Sequence, residues 1–147
     1  AISNNKPLTT HLVRNRLTVA SELANLFGRF NIECFLPVYL TYADGTQSLI
    51  APPIVEERPE GLILCDGMHR ICTLQQRGIS EFQCVVIAKP TLPLPGAVAS
   101  WQDVRIVDTA PPIEECFIDY KEEYMTGYSR IFNRVAGISA EACSLES

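Results

Sequence analysis

The chain has no run of about 18 or more apolar residues, so no bilayer-spanning helix is written into it. It has no Lys/Arg cluster beyond the loose Arg14, Arg16 pair, and with a formal net charge of −5 and a pI near 5.0 it offers no basic stripe for a phosphate backbone. Nucleic acid is therefore a disfavoured partner. No basic, apolar leader opens the sequence, AISNNKPLTT being polar, and the expected compartment is the cytoplasm. None of the six cysteines forms a C-x-x-C pair, which argues against the usual zinc and redox spacings and for reduced, mostly buried thiols. Internal repeats and low-complexity segments are absent too.

What is present is the composition of a globular chain. With 47% hydrophobic and 20% charged residues over 147 positions, one domain can bury about two thirds of the surface its unfolded form exposes. Val19, Leu23, Leu26, Phe27 and Phe30 recur at helical spacing, so an amphipathic helix is predicted over 18–30 with Thr18 as its cap and Glu22 early in it. FLPVYLTY and QSLI around Asp44-Gly45 read as a hairpin. PIVEER and LILC, separated by the turn at 59–61, read as a second strand pair. A short helix follows from Gly67 to Arg77, with Gly78 as its terminator. FQCVVIAK, a continuous valine-rich run, is predicted to be a strand covered on both faces.

Past the stiff connector PTLPLPG, WQDVRIV alternates like a half-buried strand. A helix is then expected, capped by Asp108 or Thr109, with Pro111, Pro112, Glu114 and Glu115 in its first turn, a stripe running from Ile113 to Tyr124, and a stop at Gly127. RIFNRVAG adds a short helix and SAEACSLES a frayed tail. The fold class expected is α/β (α+β), a mixed sheet with flanking helices.

The chemistry-bearing stretch is LILCDGMHRICTLQQRG. A buried strand runs into Asp66 and Gly67 and then into a helix, the crevice where α/β structures collect ligands. Gly67 permits a tight turn and a close ligand approach. First-turn N–H groups suit an anion. His69 and Arg70 sit at the positive end of the helix dipole, where cations cost a few tenths of a kcal/mol unless something negative joins them. A phosphate resolves that conflict, since the guanidinium can hold two of its oxygens at once. A purely structural account also exists: Asp66 caps the helix, Arg70 pairs with Glu56 or Glu57, and His69 is a surface residue.

The block PPIVEERPEGLILCDGMHRICTLQQRGISEFQCVVI resembles the ParB/sulfiredoxin superfamily in its strand, strand, D-G-x-H-R turn, glycine-ended helix and strand. The match covers about residues 8–89, with 31–50 resembling an insertion and 90–147 a C-terminal extension packed on the same domain. Met68 stands where sulfiredoxins carry the attacking cysteine, so sulfinic acid reduction is not implied. The chromosome-partitioning branch, with its arginine-rich turn and downstream DNA-binding domain, fits less well. The free serine kinase branch fits best in motif. That resemblance implies that Gly67, Met68, His69 and Arg70 bind the phosphates of ATP or ADP, that His69 steadies the transferring phosphoryl group, that Asp66 places Mg²⁺, and that Trp101 shapes the acceptor pocket. The kinase glutamate base is missing; LTTHLVRNR offers His11 as the catalytic proton acceptor in its place. The function implied is a nucleotide-dependent phosphotransferase acting on a small hydroxyl-bearing metabolite. The alternative is a non-catalytic nucleotide-binding regulatory module of ParB type.

Overall fold

The computed structural model describes residues 4–135. Gly61, at φ 118°, lets β6 (Gly61–Asp66) fold back antiparallel on β5 (Ile54–Arg58). To either side, β1 (Asn5–Pro7) pairs parallel with β6 and β7 (Val85–Ile87) parallel with β5, giving a mixed four-stranded sheet in the order β1-β6-β5-β7. The chain is thus of mixed α+β class, as its alternation of periodicities predicts.

Alternate residues of β6 feed two cores. Leu64 joins Val55, Phe27, Ile71 and Leu74 beneath α1 (Arg14–Arg29) and α2 (Met68–Gln76). Ile63 faces the other way, onto Leu8, Phe117 and Tyr128. Each large side chain buried in these layers stabilises the fold by about 1.5–3 kcal/mol of apolar transfer. Tyr128 belongs to α3 (Glu122–Val135), and its hydroxyl donates to the Cys65 carbonyl. Two small ribbons complete the described chain. β3 (Val38–Thr41) and β4 (Gln47–Ile50) form the hairpin around Asp44-Gly45, while β2 (His11–Val13) pairs parallel with β8 (Arg105–Val107).

Several elements differ from expectation, each for an identifiable reason. α1 starts four residues before Thr18, directly where β2 ends; Thr18 does not cap it but returns its hydroxyl to the Arg14 carbonyl. FQCVVIAK yields only the three-residue edge strand β7, paired with β5 alone, which leaves Val86 52% exposed rather than covered on both faces. In WQDVRIV a 3-10 turn at Trp101–Asp103, held by a Ser100/Asp103 capping box, precedes the strand. The helix expected after Asp108 shrinks to a 3-10 turn at Ile113–Glu115, because Phe117 and Ile118 bridge to Thr9 and Ala97 instead. Asp119, at φ 50°, then redirects the backbone, and α3 runs on through Gly127, which lies against Leu92. The expected tail, with Cys143, lies outside the described residues.

Candidate functional site

β6 delivers Asp66 to the edge of the sheet, and Gly67 turns the chain into α2 with φ 89° and ψ 23°. A Cβ at Gly67 would stand 2.9 Å from Pro53 Cβ and 3.0 Å from Arg70 Nη2, so packing as well as backbone conformation requires glycine there. The N–H of Ile71 returns to the Gly67 carbonyl, which starts the helical ladder and leaves the preceding first-turn amides without an intrahelical acceptor. No side chain caps this end, and no acidic residue lies in its first turn.

Arg70 takes neither of its two expected roles. The residue is 4% exposed, and its guanidinium donates from Nη1 to the Ala51 carbonyl, lies 3.3 Å from Asp66 Oδ2, and stacks over the Phe35 ring at 5.7 Å. Glu56, the partner suggested by a purely structural account, is instead held by Arg58 at 2.6 Å, and the Glu57 side chain is exposed. Arg70 therefore braces the turn from inside; its side chain does not reach out to a ligand. Met68 also turns inward, 6% exposed, with Sδ 2.6 Å from the Thr9 hydroxyl. Of these two, only the backbone remains near the surface of the turn.

His69 is placed differently. Its Nε2 accepts a 3.0 Å hydrogen bond from the Val13 N–H, at the junction of β2 and α1. The accepting ring is neutral and carries its proton on Nδ1. Burial first, then the positive charges of Arg16 and Arg70, push its pKa down to about 4. The cation expected at residue 69 is thus a neutral imidazole in the free protein. His11, two residues before Val13, shares a 2.9 Å hydrogen bond between Nδ1 and the Thr10 hydroxyl. The structure thus brings His11, His69 and the Asp66–Gly67 turn into one neighbourhood.

That neighbourhood has a second wall. The Val13–His69 bond joins the first residues of α1 to those of α2, and eight positions on, Arg77 at the far end of α2 donates to Ser21 and Asn25 of α1. The helices therefore run side by side in the same sense with their N-termini together. α1 too has no side-chain cap and no acid in its first turn. Parallel dipoles repel at their adjoining positive ends, and each contributes the equivalent of roughly half an elementary charge there. The negative groups beside these ends are Asp66, facing Arg70, and Asp108, paired with Arg14, and neither lies within a first turn.

The C-terminal extension forms the outer rim. The Thr10 N–H donates to the Cys116 carbonyl at 2.8 Å, and His11 stands in register with Arg105 of β8. Arg14, first in α1, pairs with Asp108 at 2.8 Å across this rim. Trp101 is not brought to the turn. Its indole N–H donates to Asn5, whose register partner Leu62 lies four residues before Asp66, about 13 Å along the strand. Trp101 lines a separate cleft of about 580 Å³ with Lys6, Glu60 and Gln102. For Mg²⁺, no group of three or more His, Cys, Asp or Glu ligands occurs among the described residues. Asp66, with 27% of its side chain exposed, offers one carboxylate, which suits a cation held mainly by a ligand's phosphates.

Sequence reasoning missed Arg16. With the helix predicted to begin at Thr18, Arg16 lay outside it, although it is the third residue of α1 and its charge reaches both His69 and the Cys116 thiol. The apolar series extended back through Leu17 would have exposed it. No protein-family model, curated protein or solved structure matches the chain.

Proposed function

We propose that the chain is a nucleotide-dependent phosphotransferase whose acceptor is a small hydroxyl-bearing metabolite such as a free amino acid. The observation that carries the reading is the pair of uncapped helix N-termini, parallel and adjoining, with no acidic residue in either first turn. Such a mouth favours the phosphates of ATP or ADP. The similarity of residues 52–87 to the ParB/sulfiredoxin superfamily supports the same assignment.

In this reading the Gly67–His69 backbone cradles the phosphates and the His69 Nδ1–H donates to the transferring group. His11, with Nδ1 held by Thr10, takes the acceptor's proton on Nε2 as the acceptor oxygen bonds to phosphorus. The bond from that phosphorus to the bridging oxygen breaks, and the nucleotide leaves one phosphate shorter. Asp66 would hold Mg²⁺ beside the phosphates, where the ion supplies charge neutralisation. Arg70 acts behind this surface as the brace of Asp66. No helix among the described residues is long and apolar enough to cross a membrane. The cytoplasm, where such nucleotides are abundant, is the compartment that fits.

The test is ³¹P NMR of the protein with ATP or ADP, Mg²⁺ and a panel of hydroxyl-bearing amino acids. A new phosphomonoester signal that depends on one acceptor supports the reading. A second reading, a non-catalytic nucleotide-binding module of ParB type, is favoured by one specific feature: the sole carboxylate at the turn already faces Arg70. Saturable nucleotide binding without turnover for any acceptor would select it.

A further inference from the structure

We propose that the outer edge of β3 is a docking site for a second copy of this chain, the two β3 strands pairing antiparallel about a two-fold axis. The inference is independent of the phosphotransferase reading and uses no residue of that site.

β3 bonds to β4, and among the described residues nothing pairs with its other edge. A groove of about 440 Å³ follows that edge, lined by Leu26, Phe27, Phe30 and Ile32, on and just after the last turns of α1, and by all four residues of β3. Successive strand residues face opposite sides, so a groove touching Val38 to Thr41 alike runs beside the strand and not over one of its faces. It occupies the place of a neighbouring strand. The hairpin ladder fixes which groups face it. The Tyr42 N–H donates to the Thr46 carbonyl, and bonded pairs alternate along an antiparallel ladder, so Val38 and Leu40 bond to β4 while the backbone N–H and C=O of Tyr39 and Thr41 point into the groove.

Those groups are self-complementary. A two-fold axis at Leu40 sets Tyr39 of each chain opposite Thr41 of the other, and each such pair exchanges two backbone hydrogen bonds, so the same patch serves on both sides. Tyr39 and Phe30, 71% and 66% exposed, with Ile32 at 38%, put roughly 400 Å² of mainly apolar surface beside the edge. Two such patches and the two strand edges reach the roughly 1,000 Å² that a specific interface needs. β3 carries neither proline nor a charge to blunt its edge. None of the groove's lining residues is charged either, so two chains of net charge −5 meet there without setting like charges face to face.

The test is sedimentation velocity of the full chain from micromolar to about 1 mM, with amide hydrogen exchange over 38–41 at both ends of that range, for wild type, Thr41→Pro and Phe30→Ser. Thr41→Pro removes an outward N–H and leaves the bonds to β4 in place. Phe30→Ser strips the groove wall at an exposed position. The expected result is a reversible dimer, Tyr39 and Thr41 amides that exchange more slowly as concentration rises, and dimerisation at least tenfold weaker in both variants with melting temperatures kept. If Thr41→Pro melts early, Phe30→Ser and the exchange measurement decide the question. A chain that stays monomeric throughout overturns the proposal, as does a dimer in which the Tyr39 and Thr41 amides exchange as fast as in the monomer. Protection of those amides in the monomer also overturns it, by showing that the chain covers its own edge.

Discussion

Arg16 and Arg70 occupy equivalent positions on two parallel helices, yet Arg70 is buried and Arg16 is partly exposed. The difference comes from what precedes each helix. α2 follows a buried strand, so its third residue points back under the turn toward Asp66, Ala51 and Phe35, where its charge is compensated. α1 follows the short strand β2, bounded by α2 on one edge and β8 on the other, and its third residue keeps part of its surface in solvent. Burial of a cation is tolerated only with partners of this quality. An arginine in the first turn of a helix is therefore buried with partners or left partly in solvent according to the layer beneath it.

The sharpest way to break the comparison is stability. Arg70→Ala leaves Asp66 and the Ala51 carbonyl facing an unfilled space and is expected to cost about 3–5 kcal/mol in urea unfolding. Arg16→Ala should stay within about 0.5 kcal/mol of wild type. Equal losses in the two variants would remove the distinction between the buried and the partly exposed arginine.

Next in size is Gly67→Ala. Its left-handed conformation and the 2.9 Å approach of Pro53 predict a loss of about 2 kcal/mol, together with weaker phosphate binding because the brace and the cradle share this residue. Full stability in this variant would show that the turn relaxes freely.

His69 sharpens the comparison through pH. Its pKa is about 4 in the folded protein and near the ordinary 6.5 when unfolded, so the unfolded chain binds the extra proton first. The stabilisation is complete above about pH 6.5 and is lost as pH falls through about 4, worth on the order of 2 kcal/mol after allowance for solvent access. His69→Gln keeps an acceptor for the Val13 N–H without a titration and should flatten that part of the pH–stability curve, read by urea midpoints from pH 7 to 4. Arg16 and Arg70 are the positive groups that lower the ring's pKa; with Arg16 removed the folded pKa rises, so the fall should become smaller and end at a higher pH.

The smallest expected effect is at the exposed Arg14–Asp108 pair. Asp108→Asn should change stability by less than about 0.5 kcal/mol, and less still in 0.5 M salt. A larger loss would mean that the rim strand β8 depends on that pair.

Much of the site was legible because it is local. The strand, turn and helix from Ile54 to Gly78 follow from periodicity, two punctuating glycines and a glycine terminator, and the structure forms each of them. Trp101 was misplaced because distance downstream of a strand says nothing about which end of the sheet the chain returns to. The helix expected at 109–127 was lost for a related reason: residues with a good helical stripe were taken up by β-bridges from Phe117 to Thr9, 108 positions away, and from Ile118 to Ala97, 21 positions away. Helix propensity amounts to tenths of a kcal/mol per residue and yields to such contacts.

By itself the amino-acid order determined the mixed fold class, the turn at Gly67 and the helix that follows, because each is set by contacts within a few residues or by the period of burial. Only the tertiary structure decided that α1 and α2 begin together, that His69 is neutral, and that Arg70 is buried while Arg16 stays partly exposed. Those outcomes depend on which surfaces meet across 50 to 100 residues of chain, and on the dielectric and field that the meeting creates.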